Sequence, residues 1–124
     1  MVVVAAVIER DGRLLVSRRL EGTHLAGLWE FPGGKCEPGE AHVVCLMREL
    51  LEELGVESTI GRELLVTEHA YPERTVRLHF LHATIAGEPQ PLLGQQLMWV
   101  ARRDLRSLSF PDADRELIEL LSYS

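Results

Sequence analysis

The chain has 124 residues, 46% of them hydrophobic and 26% charged, a size and balance that predict one globular domain over residues 1–124 with a single substantial core. No apolar run approaches the roughly 20 residues that cross a bilayer. A formal net charge of −6 argues against general binding to nucleic-acid polymers, because that affinity rests on Lys and Arg neutralising phosphates.

The elements follow in chain order. Val2 to Ile8 is apolar and strand-like; it runs into Glu9 without a basic leader, so it reads as a first strand of a cytoplasmic protein rather than a signal peptide. Asp11-Gly12 marks a turn and Leu14 to Ser17 resumes the apolar run, which together predict a hairpin. Gly22 to Gly27 reads as a loop and Trp29 to Phe31 as a short strand, after which Pro32-Gly33-Gly34 and Pro38-Gly39 predict irregular backbone. From Ala41 to Leu54 the apolar residues Val43, Val44, Met47, Leu50, Leu51 and Leu54 recur at helical spacing, and Gly55 supplies the stop. Ser58 to His69 and Thr75 to Ile85 are strand-like, joined around Tyr71-Pro72, and Leu97 to Val100 is a further strand. Beyond Phe110-Pro111, Ala113 to Leu121 places Leu117, Ile118, Leu120 and Leu121 on one helical face. Strands surrounding two helices predict an α+β chain built as an α/β/α sandwich.

Cys36 and Cys45 lack partners at zinc-ligand spacing and are too few for a disulfide scaffold, so both are expected to be structural. His69, His79 and His82 lie in or near strands without carboxylates at motif spacing and are expected to be structural too.

The chemistry concentrates in Arg48-Glu49-Leu50-Leu51-Glu52-Glu53. On a helix, Glu49 shares a face with Glu52 and Glu53, three and four residues on. Like charges so placed repel, only Arg48 is nearby to relieve them, and a divalent cation relieves them better. Magnesium prefers oxygen ligands and bridges carboxylates to phosphates, which makes the cluster a better phosphate-cleaving site than a zinc site.

Gly34, Glu40, Arg48, Glu49, Leu50, Glu52, Glu53, Gly55 and Val56 together fill every defined position of Gly-x5-Glu-x7-Arg-Glu-U-x-Glu-Glu-x-Gly-U, with U aliphatic. The chain is identified by this box as resembling the Nudix hydrolases. Trp29 to Lys35 resembles the approach to the box in the MutT branch, Ser17-Arg18-Arg19 resembles its basic strand end, and Phe110-Pro111 with Ala113-Asp114 resembles its base-closing loop. The resemblance implies the Nudix fold, with a mixed curved sheet between helices, and a magnesium-dependent pyrophosphohydrolase (manganese substituting) that splits nucleoside triphosphates into pyrophosphate and a monophosphate. It implies a nucleotide partner, while the charge and the lack of a long apolar run predict no nucleic-acid polymer or membrane partner, and a compact acidic single domain is expected to work as a monomer or weak homodimer.

By the same resemblance the Gly34 carbonyl and the carboxylates of Glu49, Glu52 and Glu53 hold metal. Glu40 and Lys35 lie close, Arg48 holds the acids, and Glu52 or Glu53 takes the proton of the attacking water. Some relatives add a carboxylate just before the last strand, where this chain reads Leu92-Leu93-Gly94-Gln95-Gln96. Arg19 and Arg74 suit phosphate or base, and His24 lies in a loop able to reach the nucleotide. Phe31, Tyr71 and Phe80 are expected mainly in the core, Phe31 being the best candidate to stack on a base. Asp114 stands where relatives read the base edge, or else caps the terminal helix, as Asp commonly does near a helix start. Ionised, it accepts from N1–H and the N2 amino group of guanine or 8-oxoguanine; protonated, it matches the amino group and acceptor nitrogen of cytosine. An 8-oxo-dGTP diphosphatase that sanitises the nucleotide pool is the leading expectation. A CTP or 5-substituted dCTP pyrophosphohydrolase is the alternative, and a non-catalytic nucleotide-binding module is disfavoured by the intact box.

Overall fold

The computed structural model describes residues 1–20, 22 and 26–122. Strands β1 (Val2–Arg10) and β2 (Arg13–Arg18) form the expected hairpin. Its two-residue turn places both Asp11 and Gly12 at positive φ, 53° and 78°, the geometry whose twist matches the flanking strands. Short β3 (Trp29–Glu30) and β4 (Gly33–Lys35) precede α1 (His42–Leu54); long β5 (Glu57–Ala70) and β6 (Thr75–Ala86) form a second hairpin, and β7 (Gln96–Ala101) closes the sheet. A 3-10 stretch over Arg102–Ser107 and another over Asp112–Asp114 lead into α2 (Arg115–Ser122).

The strand order is β3-β2-β1-β6-β5, with β4 joined to β1 and β7 to β2. Central β1 is parallel to β6 and antiparallel to β2 and β4, so the sheet is mixed. Period-two alternation sends successive β1 side chains to opposite faces. Val4, Ala6 and Ile8 pack with Leu15, Leu81 and Ala83 against α1, while Ala5 and Val7 pack with Leu14, Val16 and Phe80 against α2 and Leu105. Two apolar layers thus flank one curved sheet, the sandwich expected from sequence.

Three expectations need correction. Gly33–Lys35 is strand, not irregular backbone: it pairs with Val3–Ala5 of β1, and a Cβ on Gly33 would overlap the Val4 carbonyl. Glycine admits this close strand, and proline–glycine punctuation concealed it. The buried stripe of α1 is Cys45, Leu46, Leu50 and Leu54, whereas Val43, Val44, Met47 and Leu51 are exposed; apolar residues on both sides of this helix made its inner face ambiguous by spacing. In α2, Leu117, Ile118 and Leu121 are buried and Leu120 is exposed, because at about 100° per residue Leu120 falls outside the sector shared by the other three. The cysteines are structural in a form that spacing did not show. β4 and the second turn of α1 bring Cys36 and Cys45 to a Cα separation of 5.4 Å, where they form a disulfide.

Candidate active site

Gly55 ends α1 in the left-handed region at φ 66°, donating its N–H to the Leu51 carbonyl. The helix axis therefore runs unbroken through the acidic segment, and the sheet beside it supplies the facing backbone. A Cβ on Gly34 would overlap the Glu49 carboxylate, so glycine lets that carboxylate lie directly against β4. The Gly33 N–H donates to the Glu53 carboxylate. Glu49 and Glu53 thus both stand against the β4 backbone, Glu49 at Gly34 and Glu53 at Gly33, and carboxylate and carbonyl oxygens are the hard donors that suit a magnesium-like cation. Glu52 is turned outward, its side chain 56% exposed, and remains tied to the group through Arg48 at 3.3 Å.

Arg48 organises the cluster. Its Nε and Nη2 each donate to a Glu40 carboxylate oxygen at 2.9 Å, and its Nη1 donates to Glu49 at 3.1 Å. Its Nη2 also reaches the Lys35 carbonyl at 3.3 Å, which fixes β4 to the helix. This bidentate fork, with a further donation from the Glu37 N–H, holds the Glu40 carboxyl down at about 2.

A cleft of about 650 Å³ opens over Gly33, Gly34 and Glu53. Lys35, Arg19, Phe31, Arg74 and Asp114, all singled out in the sequence, line it. Phe31 is 4% exposed, stacks on Phe110 at 5.5 Å and meets Phe80 edge-on at 6.1 Å; it is core and cleft wall together. Arg48 and Glu49 face an adjoining hollow with Glu40 and Lys35. His24 lies outside the described residues. His69 and Tyr71, expected to be structural, stand in the cleft wall with ring centroids 4.6 Å apart, because the β5–β6 hairpin reaches past the core. His79, expected to lack a carboxylate partner, pairs with Glu63 of the neighbouring strand.

Sequence reasoning missed Glu30 and Gln95. Glu30 sits between buried Trp29 and Phe31, lines the cleft, and accepts from Arg19 Nη1 at 2.6 Å; burial still pushes its carboxyl up against the pull of that arginine. An acid between aromatics in a short strand was the available signal. Gln95 occupies the loop where some relatives carry an acid, and its Nε2 donates to the Glu53 carbonyl at 3.1 Å.

Desolvation, then repulsion from Glu49 and Glu30, pushes Glu53 up to about 8. Burial and the nearby Glu30 charge push Asp114 up to about 7 against the opposing pull of Arg19. Acids raised in this way in one cleft mark a place prepared for a cation or a hydrogen-bonding ligand. Both groups bind their protons more tightly folded than unfolded, so that stabilisation is complete below their unfolded values near 4 and is lost as pH rises through about 7 to 8. The Tm of metal-free protein is therefore expected to fall between about pH 5 and pH 8, and magnesium is expected to restore more stability at the upper end. Thermal melts in chelator across that range test this; a flat or rising Tm would contradict the buried acids.

A sandwich fold with a carboxylate-bearing helix held against a glycine-rich strand, beside a cleft with basic and aromatic walls, defines a phosphate-handling hydrolase. The family model described as the NUDIX domain matches residues 3–120, and the chain belongs to the Nudix family as a MutT-like hydrolase. It is 40% identical over 118 residues to the CTP pyrophosphohydrolase of Escherichia coli (strain K12), covering 94% of this chain and 87% of that one. It is 35% identical over 121 residues to the putative 8-oxo-dGTP diphosphatase 2 of Mycobacterium tuberculosis (strain H37Rv), covering 92% and 82%. Among solved structures, that of the E. coli ORF135 protein superposes with a TM-score of 0.86 at 39% identity, covering 95% of this chain and 85% of that one. The MutT Nudix hydrolase of Burkholderia pseudomallei superposes at 0.84 with 31% identity and 95% coverage of each chain.

Proposed function

We propose that the chain acts as one Nudix domain that hydrolyses cytidine triphosphates, CTP or 5-substituted dCTP, to the monophosphate and pyrophosphate with magnesium. The observation that carries this reading is the burial of Asp114, 5% exposed, in the wall of the cleft. A carboxyl taken out of water beside Glu30 retains its proton up to about pH 7. It then offers one O–H to the cytosine ring nitrogen and one oxygen to the exocyclic amino group. The 40% identity to a protein named CTP pyrophosphohydrolase supports the same base.

Phe31, stacked on Phe110, supplies an apolar wall for the base, and Arg19, Arg74 and Lys35 supply positive charge along the cleft. Gly34, Glu49, Glu52 and Glu53 would hold the magnesium, with Arg48 keeping their carboxylates oriented. Bound there, the cation supplies positive charge against the triphosphate and against charge developing in the transition state. Glu53, with its carboxylate in the cleft, is placed to take the proton of the attacking water. The protein works in the cytoplasm as a monomer or weak dimer, and the Arg48–Glu40 fork holds the loop between β4 and α1 beside the Cys36–Cys45 bond.

Hydrolysis of 8-oxo-dGTP, a nucleotide-pool safeguard for DNA, is the second reading. It is favoured by the relatives bearing that name and by the charge Asp114 gains above about pH 7. Pyrophosphate release with magnesium across CTP, 5-methyl-dCTP, dGTP, 8-oxo-dGTP and ADP-ribose, assayed slightly below neutral pH, is expected to give the highest kcat/KM with a cytidine nucleotide. Higher kcat/KM for 8-oxo-dGTP under those conditions would replace the first reading by the second, and preference for ADP-ribose would remove both.

A further inference from the structure

Away from the cleft, on the α1 face of the sheet, two imidazoles and a carboxylate meet. His79 of β6 is buried, its Nδ1 is 2.5 Å from a Glu63 oxygen, and its ring lies 4.1 Å from that of His42, the first residue of α1. Irregularities in the β5–β6 register on either side of Glu63 set it opposite Leu81. Leu81 shares a face with His79, so the bulge turns an acid toward the helix instead of toward solvent. One potential donor atom from each of the three residues lies within 4.8 Å of the others.

We propose that His42, Glu63 and His79 form a second metal site, selective for a borderline transition ion such as Zn²⁺ and separate from the carboxylate cluster. The donor set of two imidazole nitrogens and one carboxylate suits zinc and not magnesium. Bonds of about 2.0–2.2 Å in a tetrahedron require donors roughly 3.4 Å apart, so metal entry opens the His79–Glu63 contact, 2.5 Å in the structure, by about 1 Å. The Glu63 side chain is 42% exposed, which leaves water access to a fourth position. His42 and Glu49 are two turns apart on α1, about 10 Å along the axis, too far to share one ion. The ion clamps the start of the box helix to the β5 bulge, a join that neither the Arg48 fork nor the disulfide makes.

The protein, saturated with Mg²⁺ to occupy the carboxylates, is titrated with Zn²⁺ and separately with Co²⁺. The expected result is one equivalent of Zn²⁺ bound, a rise in Tm of at least about 4 °C, and a Co²⁺ visible spectrum of four-coordinate, nitrogen-containing type. The truncation His42→Ala at the partly exposed helix end and the isosteric Glu63→Gln on the strand are each expected to fold and to lose more than the roughly 10- to 100-fold in Zn²⁺ affinity that removing an outer-shell partner costs. Unchanged Zn²⁺ binding in His42→Ala would overturn the site, as would absence of a Zn²⁺ equivalent beyond the Mg²⁺-protected carboxylates or a Co²⁺ spectrum of six oxygen ligands.

Discussion

Glu53→Gln is expected to lower kcat for nucleotide hydrolysis by about three orders of magnitude, with the fold intact and KM changed much less. The side chain lies in the cleft and accepts from the Gly33 N–H, so the amide keeps the volume and loses the charge. That charge is costly in the empty cleft, where desolvation and the neighbouring acids push the carboxyl up to about 8. Glu53 would be among the residues holding a bound cation, whose positive charge would favour the ionised carboxylate. In the proposed reading both duties, holding the cation and accepting a proton, would fall on the same oxygens, and glutamine would perform each poorly. Steady-state kinetics across a magnesium titration checks this. A kcat within tenfold of wild type at saturating magnesium would remove Glu53 from the chemistry. Because the substitution also relieves repulsion, the metal-free variant is expected to melt higher than wild type near pH 8.

Much of this site was legible in the sequence because its demands are local. Arg48, Glu49 and Glu52 lie within one turn of α1, so their spacing records the ion pairs they make. Gly34 must admit the Glu49 carboxylate, and Gly55 must end the helix in the left-handed region, where few other residues fit. What depended on distant pairing was not legible. Glu30 belongs to the site through Arg19, eleven residues away across a strand pair, and Glu63 reaches His79 through a register shift that no one-strand pattern displays. The inner face of α1 was ambiguous because Val43, Val44, Met47 and Leu51 also recur at helical spacing, and only contact with the sheet shows that Leu46 is buried and Leu51 is not. β4 was hidden for a related reason: the glycines that look like breakers are what let the strand close on β1.

The identity of residue 114 is expected to control how base preference responds to pH. In the proposed reading, protonated Asp114 would complement cytosine, whereas the ionised carboxylate is acceptor-only and would face an acceptor nitrogen in cytosine but two donors in guanine. The ratio of kcat/KM for CTP to that for 8-oxo-dGTP then follows the ratio of protonated to ionised Asp114, falling about tenfold for each pH unit around the neutral range. Taking the ratio within one enzyme cancels titrations of the catalytic acids, which act on both substrates. Asp114→Asn carries an amide donor and a carbonyl acceptor at every pH, so it is expected to keep cytidine turnover and lose the slope. Asp114→Ala leaves the base edge unpaired in a buried wall and is expected to lower kcat/KM for CTP by about 100-fold, the effect of a few kcal/mol of lost hydrogen bonding. Equal slopes in wild type and Asp114→Asn would show that another group reads the base. A steep wild-type slope that flattens in the asparagine variant while cytidine turnover is kept ties base choice to one buried proton, held by the apolar wall and by the charge of Glu30 beside it.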